Sequence, residues 1–458
     1  MKISHSHFHF IGIGGIGMSG LAELLHFLGA KVSGSDLGQN AQTEHLQKLG
    51  IKIFQGHGKD QLGDASVVVY SSAVKEDNPE IQEARKRKIP FIPRAEALAE
   101  IMRLKRGLAI AGTHGKTTTT SMISSIFLYA KKDPTIMIGG RFERIKSTAL
   151  LGTGEWMLAE ADESDGSFHK LSPEIAIITN IDSDHLDHYK SFSNLQNSFL
   201  EFGYRIPFYG HMVVFGDDPL VKKLFKDFAK PITFYGFGED NDIVLKGERG
   251  TYSLFEKDSS GLKKMTDFKL QVSGKHNALN ATSAMIAANL TGITWPEVVA
   301  GIHQFEGVDR RFQFKGERGG IKIYDDYGHH PTEILATMQA FKEKFPANRI
   351  VVYFQPHRYT RTQSCWTEFT KCFSDVDQLF LTDIYAAGEM PIEDVTSEKL
   401  SLEIKDISLQ YLPKEANYHS MAGKIFPHLK SGDVFITLGA GDGWKLGMEV
   451  LESLNGKN

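Results

Sequence analysis

At 458 residues the chain is long enough for about three domains, each with its own apolar core. Lys and Arg number 52 against 56 Asp and Glu, a net charge of −4 with a pI near 6.5, which excludes a dominant nucleic-acid or membrane surface and points to small charged ligands. Two cysteines, Cys365 and Cys372, lie on one predicted helix without zinc or disulfide-framework spacing and read as core residues of a reducing compartment. The N-terminus carries no apolar signal core and no window reaches about 18 uninterrupted apolar residues, so the expectation is a soluble cytoplasmic protein.

The chain opens with an apolar strand at 8–13 running into Gly12-Ile13-Gly14-Gly15-Ile16-Gly17 and a helix at 18–28. Gly12, Gly14 and Gly17 fit a G-x-G-x-x-G turn, and Asp36 follows about twenty residues later, after a second strand at 31–35. Such a turn suits NAD, with Asp36 on a ribose hydroxyl, and equally the pyrophosphate of a nucleotide sugar. His5, His7 and His9 alternate along the entering strand and share one face; metal is one reading, a polar strand face the plainer one. Strands at 51–54 and 66–70 and helices at 78–88 and 95–104 complete an alternating α/β unit, which ends at the basic Arg103-Leu104-Lys105-Arg106.

A short apolar strand at 107–110 leads into Ala111-Gly112-Thr113-His114-Gly115-Lys116-Thr117-Thr118-Thr119-Thr120, followed by helical spacing at 121–128. Strand, glycine turn and helix start make a phosphate loop, its backbone N–H groups and helix dipole turned to an anion. Lys116 is placed to meet β- and γ-phosphates and Thr117 to offer its hydroxyl to Mg²⁺. Ile110 stands where the common P-loop has its first glycine, so this is a variant loop; a glycine turn with a threonine-rich N-cap is the bland alternative.

Two further apolar strands end in acids: 156–159 before Glu160-Ala161-Asp162-Glu163-Ser164-Asp165, and 175–179 before Asn180-Ile181-Asp182-Ser183-Asp184-His185. Ligands collect beyond the carboxyl ends of parallel strands, and carboxylates with a neutral imidazole there suit Mg²⁺ bridging ATP to a second substrate. Surface strands are expected at 251–255 and 268–272. Next, Gly274-Lys275-His276-Asn277-Ala278-Leu279-Asn280 opens a helix at 281–290, where Asn277 and Asn280 can face a base edge or simply cap the helix.

The last third is α/β again. A strand at 321–324 ends in Asp325-Asp326-Tyr327-Gly328-His329-His330-Pro331 before a helix at 332–341, and one at 349–354 ends in Gln355-Pro356-His357-Arg358-Tyr359-Thr360-Arg361. Strands at 379–382 and 434–438 lead to Asp383-Ile384-Tyr385 and Gly439-Ala440-Gly441-Asp442. Arg358 and Arg361, three apart, suit a carboxylate or phosphate gripped by planar forks. The residues thus imply an ATP-using enzyme with a phosphate-bearing ligand on the first domain and an anion site on the third. A dehydrogenase has no need of Lys116, Thr117 and the acids; an NAD enzyme or nucleotide-sensing protein is the reading the first glycine turn would support alone.

These motifs, with Arg310-Arg311-Phe312, resemble the Mur ligases of bacterial cell-wall synthesis from end to end. The resemblance implies three α/β domains: an N-terminal Rossmann-like domain at 1–106 for a UDP-sugar, a central P-loop ATPase-like domain at 107–313, and a C-terminal Rossmann-like domain at 314–458 that binds the amino acid and closes over ATP. It implies UDP-N-acetylmuramate on Gly12, Gly14, Gly15, Ile16 and Gly17, with Ser35, Asp36, Ser71, Ser72 and Arg94 as neighbours. ATP is implied on Gly112, Thr113, His114, Gly115, Lys116, Thr117 and Thr118, its adenine on Asn277 and Asn280, its ribose near Asp326, with Arg311 reaching the phosphates. Mg²⁺ falls to Thr117, Glu160 and His185, and L-alanine to Tyr327, His329, Arg358 and Arg361. Lys116, Arg311 and His329 are the implied catalytic residues of an acyl-phosphate route to an amide, with a peptide-adding relative of cell-wall recycling as the rival. Sister ligases carry a carbamylated lysine within the stretch matching 189–202; Lys190 is too early to be it. No nucleic-acid or membrane partner is implied, and the enzyme is expected as a monomer or homodimer.

Overall fold

The computed structural model describes residues 3–71 and 73–453, and the chain packs as two compact units. The first runs to residue 246 and takes in 252–269 and 279–305; the second comprises 247–251, 270–278 and the chain from 306 onward. The architecture is the three-domain α/β fold with mostly parallel sheets: two sheets in the first unit, one in the second.

The first sheet is parallel, in the order Lys52–Gln55, Lys31–Asp36, His7–Ile11, Val67–Tyr70, Phe91–Pro93. The order reverses between His7–Ile11 and Val67–Tyr70, and the glycine turn leaves at that crevice, where a doubly wound sheet receives its ligand. Only three residues long, Phe91–Pro93 ends on a proline that an edge strand tolerates, and it was too short to show a period. His5 ends the 3₁₀ turn Ile3–His5 instead of joining the strand. His7 and His9 do share a face, but a buried one: His7 lies 2.7 Å from Asp64 and 2.8 Å from the Ser33 hydroxyl, and His9 2.8 Å from the same hydroxyl. Burial lowers the pKa of His7 against the pull of Asp64, so the histidines form a packed hydrogen-bonded network.

The ten-stranded second sheet has Arg106–Ala111 between Ile175–Ile178 and Trp156–Glu160, all parallel. That neighbourhood sets both acid-bearing strand ends beside the phosphate loop. Four-residue runs such as Ile175–Ile178, buried throughout, carry the continuous apolar signature of a strand covered on both faces. Thr135–Phe142 and its antiparallel partner Ser147–Leu150 were not expected; Gly139 and Gly140 break the apolar run, and the pairing is irregular between Met137 and Phe142. His211–Phe215, Ile232–Gly236 and Ile243–Glu248 continue the sheet; the surface strand expected at 251–255 lies at Thr251–Asp258, whereas the one expected at 268–272 is the tail of an earlier strand, Gly261–Lys269, that ends before residue 270.

In the second unit a six-stranded sheet runs Gln313–Arg318, Ile321–Asp326, Val434–Leu438, Ile350–Phe354, Gln378–Leu381, Ser408–Tyr411. Only the first pair is antiparallel. Alternate residues of Ile350–Phe354 serve two cores: Ile350, Val352 and Phe354 pack with Met338 and Phe341, while Val351 and Tyr353 pack with Met421 and Phe435. Cys365 sits between the short helices Tyr359–Ser364 and Trp366–Phe369 and Cys372 follows them, so one continuous helix does not carry both; both are buried and neither is in a disulfide. Among the described residues no helix is long and apolar enough to cross a membrane.

Candidate active site

The first glycine turn is braced from below. Gly12 and Ile13 donate their N–H groups to the Ser35 carbonyl, and the buried Ser35 hydroxyl donates to Glu80 at 2.6 Å. Asp36 accepts the N–H of Gly14 at 2.8 Å and that of Gly38 at 3.1 Å. Ser35 and Asp36 therefore shape the turn from beneath. A Cβ on Gly14 would lie 2.9 Å from Asp36 Oδ2, and one on Gly17 3.1 Å from the Arg94 guanidinium. Helix Ile16–Phe27 starts on Gly15 with no side-chain cap, which leaves N–H donors for an anion. Ser71 ends Val67–Tyr70 beside Gly12, whose Cβ would stand 3.3 Å from its own; Ser72 lies outside the described residues. Arg94 donates to Asp162 at 3.0 Å, linking this turn to the acids after Trp156–Glu160.

The phosphate loop is strained where it must be. Gly112 (φ 134°) and Gly115 (φ 83°) lie in a region L side chains rarely adopt, and a Cβ on Gly112 would be 2.0 Å from Thr179 Oγ1. Residues beyond the next strand hold its outline. The His114 N–H donates to Asn180 Oδ1 at 2.9 Å, and the His114 carbonyl accepts from Thr179 Oγ1 at 2.6 Å and Asn180 Nδ2 at 2.9 Å. Asp182 lies 2.9 Å from the His114 ring and donates its N–H to Thr113 Oγ1. Helix Lys116–Tyr129 follows, again without a side-chain cap. Asn280 approaches from helix Lys275–Leu290, its Oδ1 2.7 Å from where a Gly115 Cβ would be.

Around the loop the charges are dense. Lys116 Nζ donates to the carbonyls of Gly112 (2.6 Å) and Thr113 (3.2 Å) and to Glu163, whose two oxygens lie at 2.7 and 2.8 Å. Burial works to depress the Lys116 pKa, but the charges of Glu163, Asp162 and Glu160 outweigh it and hold the ammonium protonated. Burial pushes the Glu163 carboxyl up to about 7 against the charge of Lys116. Thr117 Oγ1 donates to Glu160 Oε2 at 3.2 Å, while Glu160 Oε1 accepts the Gly139 N–H at 2.7 Å. His185, at φ 56°, holds Nε2 3.6 Å from Asp184 and 3.7 Å from Glu163. Hydroxyl, carboxylates and one imidazole are a donor set that suits Mg²⁺.

In the second unit Asp326 accepts the N–H groups of Phe312 and Gly328, each at 2.8 Å. Burial raises its pKa to about 6, with Arg311 opposing. Tyr327 has the Arg310 and Arg311 guanidiniums each 5.0 Å from its ring, and His329 5.4 Å away edge-on. Arg311 also stands 3.6 Å from Glu333. Burial drives the His329 pKa down to about 3, Glu333 opposing, so the ring is neutral at physiological pH. Buried Arg361 acts on both His329 and His357 by its charge, whereas Arg358, at φ 72°, donates through Nε to Glu389 at 2.5 Å. Asn277 donates to the Ser273 carbonyl at 2.7 Å, a local helix-start bond.

The Asp326 shift gives a pH signature. Its folded pKa of about 6 exceeds the ordinary 3.8, so its contribution is full below about pH 4 and is lost as pH rises through 6. The loss amounts to about 3 kcal/mol. Asp326→Asn, which stays neutral, is expected to gain several degrees of Tm relative to the parent between about pH 4.5 and 7 in paired thermal melts; parallel curves would contradict this.

Residues 7–106 match the family model described as Mur ligase family, catalytic domain, 110–288 the Mur ligase middle domain, and 310–441 the Mur ligase glutamate ligase domain. The chain belongs to the Mur ligase family. This Mur ligase is 62% identical over 456 residues to the UDP-N-acetylmuramate–L-alanine ligase of Bdellovibrio bacteriovorus, covering 99% of this chain and 100% of the relative. It is 49% identical over 452 residues to the ligase of the same name from Geotalea daltonii, covering 97% of each. The crystal structure of the UDP-N-acetylmuramate-alanine ligase of Thermotoga maritima matches with a TM-score of 0.83 at 29% identity, over 99% of this chain and 100% of that one. A murein peptide ligase of Psychrobacter arcticus shares the fold, with a TM-score of 0.72 at 23% identity over 98% and 99%.

Of the expected site residues in the first unit, Lys116, Thr117, Glu160 and His185 converge around the phosphate loop, and the Gly12 to Gly17 turn sits with Ser71 and Arg94. Tyr327, His329 and Arg361 gather in the second unit, while Arg358 is turned to Glu389. The sequence reading did not assign roles to Glu163 as the partner of Lys116, to Thr179 and Asn180 as the clamp on the loop, or to Glu389. A spacing argument cannot separate a buried acid from a solvated one; for Asn180 its place at the end of a buried strand was the available signal.

Proposed function

We infer that this chain uses ATP to join L-alanine to the muramic carboxylate of UDP-N-acetylmuramate, giving UDP-N-acetylmuramoyl-L-alanine, ADP and phosphate for peptidoglycan precursor synthesis. The observation that carries most weight is the Lys116 loop beside Glu160 and His185, in a chain similar along its whole length to ligases of that name. In this reading the UDP-sugar lies on domain 1–106, ATP on 107–313 and alanine on 314–458. Both large substrates are nucleotides, so the reaction is placed in the cytoplasm.

A carboxylate oxygen attacks the γ-phosphorus, the bond to the ADP oxygen breaks, and an acyl phosphate forms. The free amine of alanine then attacks the acyl carbon; the C–N bond forms, and phosphate leaves with the bridging oxygen and takes up the proton that the amine gives up. Lys116 spreads the charge of the transferring phosphoryl group. Mg²⁺, on Thr117 and Glu160 with His185 nearby, would supply positive charge at the β- and γ-phosphates. The uncapped start of helix Ile16–Phe27 holds the sugar diphosphate. Its lowered pKa makes His329 a neutral contact for alanine more than a store for the departing proton.

Oxygen-18 in the muramic carboxylate is expected to appear in released phosphate, read by mass spectrometry; unlabelled phosphate would refute the acyl-phosphate route. In the same assay alanine, and not a tripeptide, is expected to drive phosphate release.

A further inference from the structure

We propose that Glu163 holds the place of the triphosphate on Lys116 and gives it up when the nucleotide arrives, its freed carboxylate then joining His185 in binding a divalent cation. The inference rests on the reading of the Lys116 loop as the triphosphate site.

The Lys116 ammonium has three protons, and four oxygens already lie within 3.2 Å of it: two backbone carbonyls and both oxygens of Glu163. For it to reach β- and γ-phosphates, at least one of these must leave. The carbonyls belong to the loop itself, which Asn180 and Asp182 hold in place, so the partner able to turn away on its own is the Glu163 side chain. Glu163 is the charged partner, and replacing it by phosphate exchanges one anion for another at a buried cation, at far lower cost than uncovering that cation.

The exchange needs only a side-chain rotation. The Glu163 carbonyl accepts the Tyr189 hydroxyl at 2.5 Å and the Gly166 N–H at 3.0 Å, so its backbone stays put. A carboxylate abandoned in a fully buried position must find a proton or a new positive partner. His185 stands beside it, with Nε2 3.7 Å from Glu163 Oε1, and a divalent cation held by the two would supply that charge. Two ligands at right angles around an ion about 2.1 Å away are about 3 Å apart, and opposite ones about 4 Å, so the pair already spans a coordination sphere. The left-handed backbone of His185, unusual for a residue with a Cβ, keeps the ring there.

The test uses the full-length enzyme and two calorimetric or spectroscopic titrations. Wild type binding ATP with metal chelated away tests the underlying site alone; no binding to it under any condition would sink that reading rather than this one. Glu163→Gln is expected to tighten metal-free ATP binding about tenfold, because no anion has to be displaced. The ATP-loaded variant is expected to bind Mn²⁺, read by its free-ion paramagnetic resonance, about tenfold more weakly or with one ion fewer. A residue that merely supported the fold would weaken both. Metal-free ATP binding that is unchanged or weaker overturns the proposal, and so does unaltered Mn²⁺ binding. Should the glutamine variant fail to fold, Glu163→Ala, which likewise has no carboxylate to displace or to bind the ion, carries the same two expectations.

Discussion

Replacing Lys116 by alanine lowers alanine-dependent phosphate release by about a thousandfold or more, since the transferring phosphoryl group loses a buried, fully protonated donor. UDP-sugar binding stays within about threefold of the parent, because the Gly12 to Gly17 turn is built on a different sheet and shares no hydrogen bond with Lys116 among the described residues. A secondary effect comes with it. Glu163 is left buried without its cation and takes up a proton, so the variant also melts a few degrees lower. Coupled phosphate release alongside calorimetric titration of UDP-N-acetylmuramate checks both halves; joint loss of turnover and sugar binding would show that the two sites are not separate.

Gly112→Ala has the second large effect. At φ 134° a side chain strains the backbone, by about 1–2 kcal/mol on the scale of left-handed residues, and the new methyl would sit 2.0 Å from Thr179 Oγ1, with the Asn180 carbonyl 3.1 Å away. Relief requires the loop to move off the Thr179 to Asp182 segment, which unmakes the cradle. ATP affinity is expected to drop by a hundredfold or more, roughly, with the sugar site intact. Gly38→Ala is the control: nothing lies within 4 Å of its Cβ position, and its φ is not positive. Equal ATP affinity in the two variants would refute the argument.

Much of this could be read from the residues, and the reasons are local. Ile175–Ile178 and Val434–Leu438 are apolar runs bounded by polar strand ends, so both the strands and the edge that carries chemistry were visible. Gly112 and Gly115 announced a backbone that needs room. Two strands of partial burial were not visible: Ile232–Gly236 is half-buried along most of its length, and Gln313–Arg318 is an antiparallel edge interrupted at Gly316. Asp36 shows a different limit. Its spacing from the glycine turn is right for a ribose contact, yet here it braces Gly14, because the distance along the chain fixes the strand end but not which atom the carboxylate meets there. The same limit hid Glu163, one acid of several in its stretch until packing chose it for Lys116.

The clamp from Thr179 to Asp182 makes the cradle a shared possession of two distant segments. Its bonds to Thr113 and His114 cross 65 to 69 positions of chain, so the ten residues around Lys116 do not carry their own shape. Grafted alone onto another strand and helix they would keep their spelling and lose their curve. Descent with function intact therefore requires the two stretches to travel together, and a change in one is repaired most readily in the other.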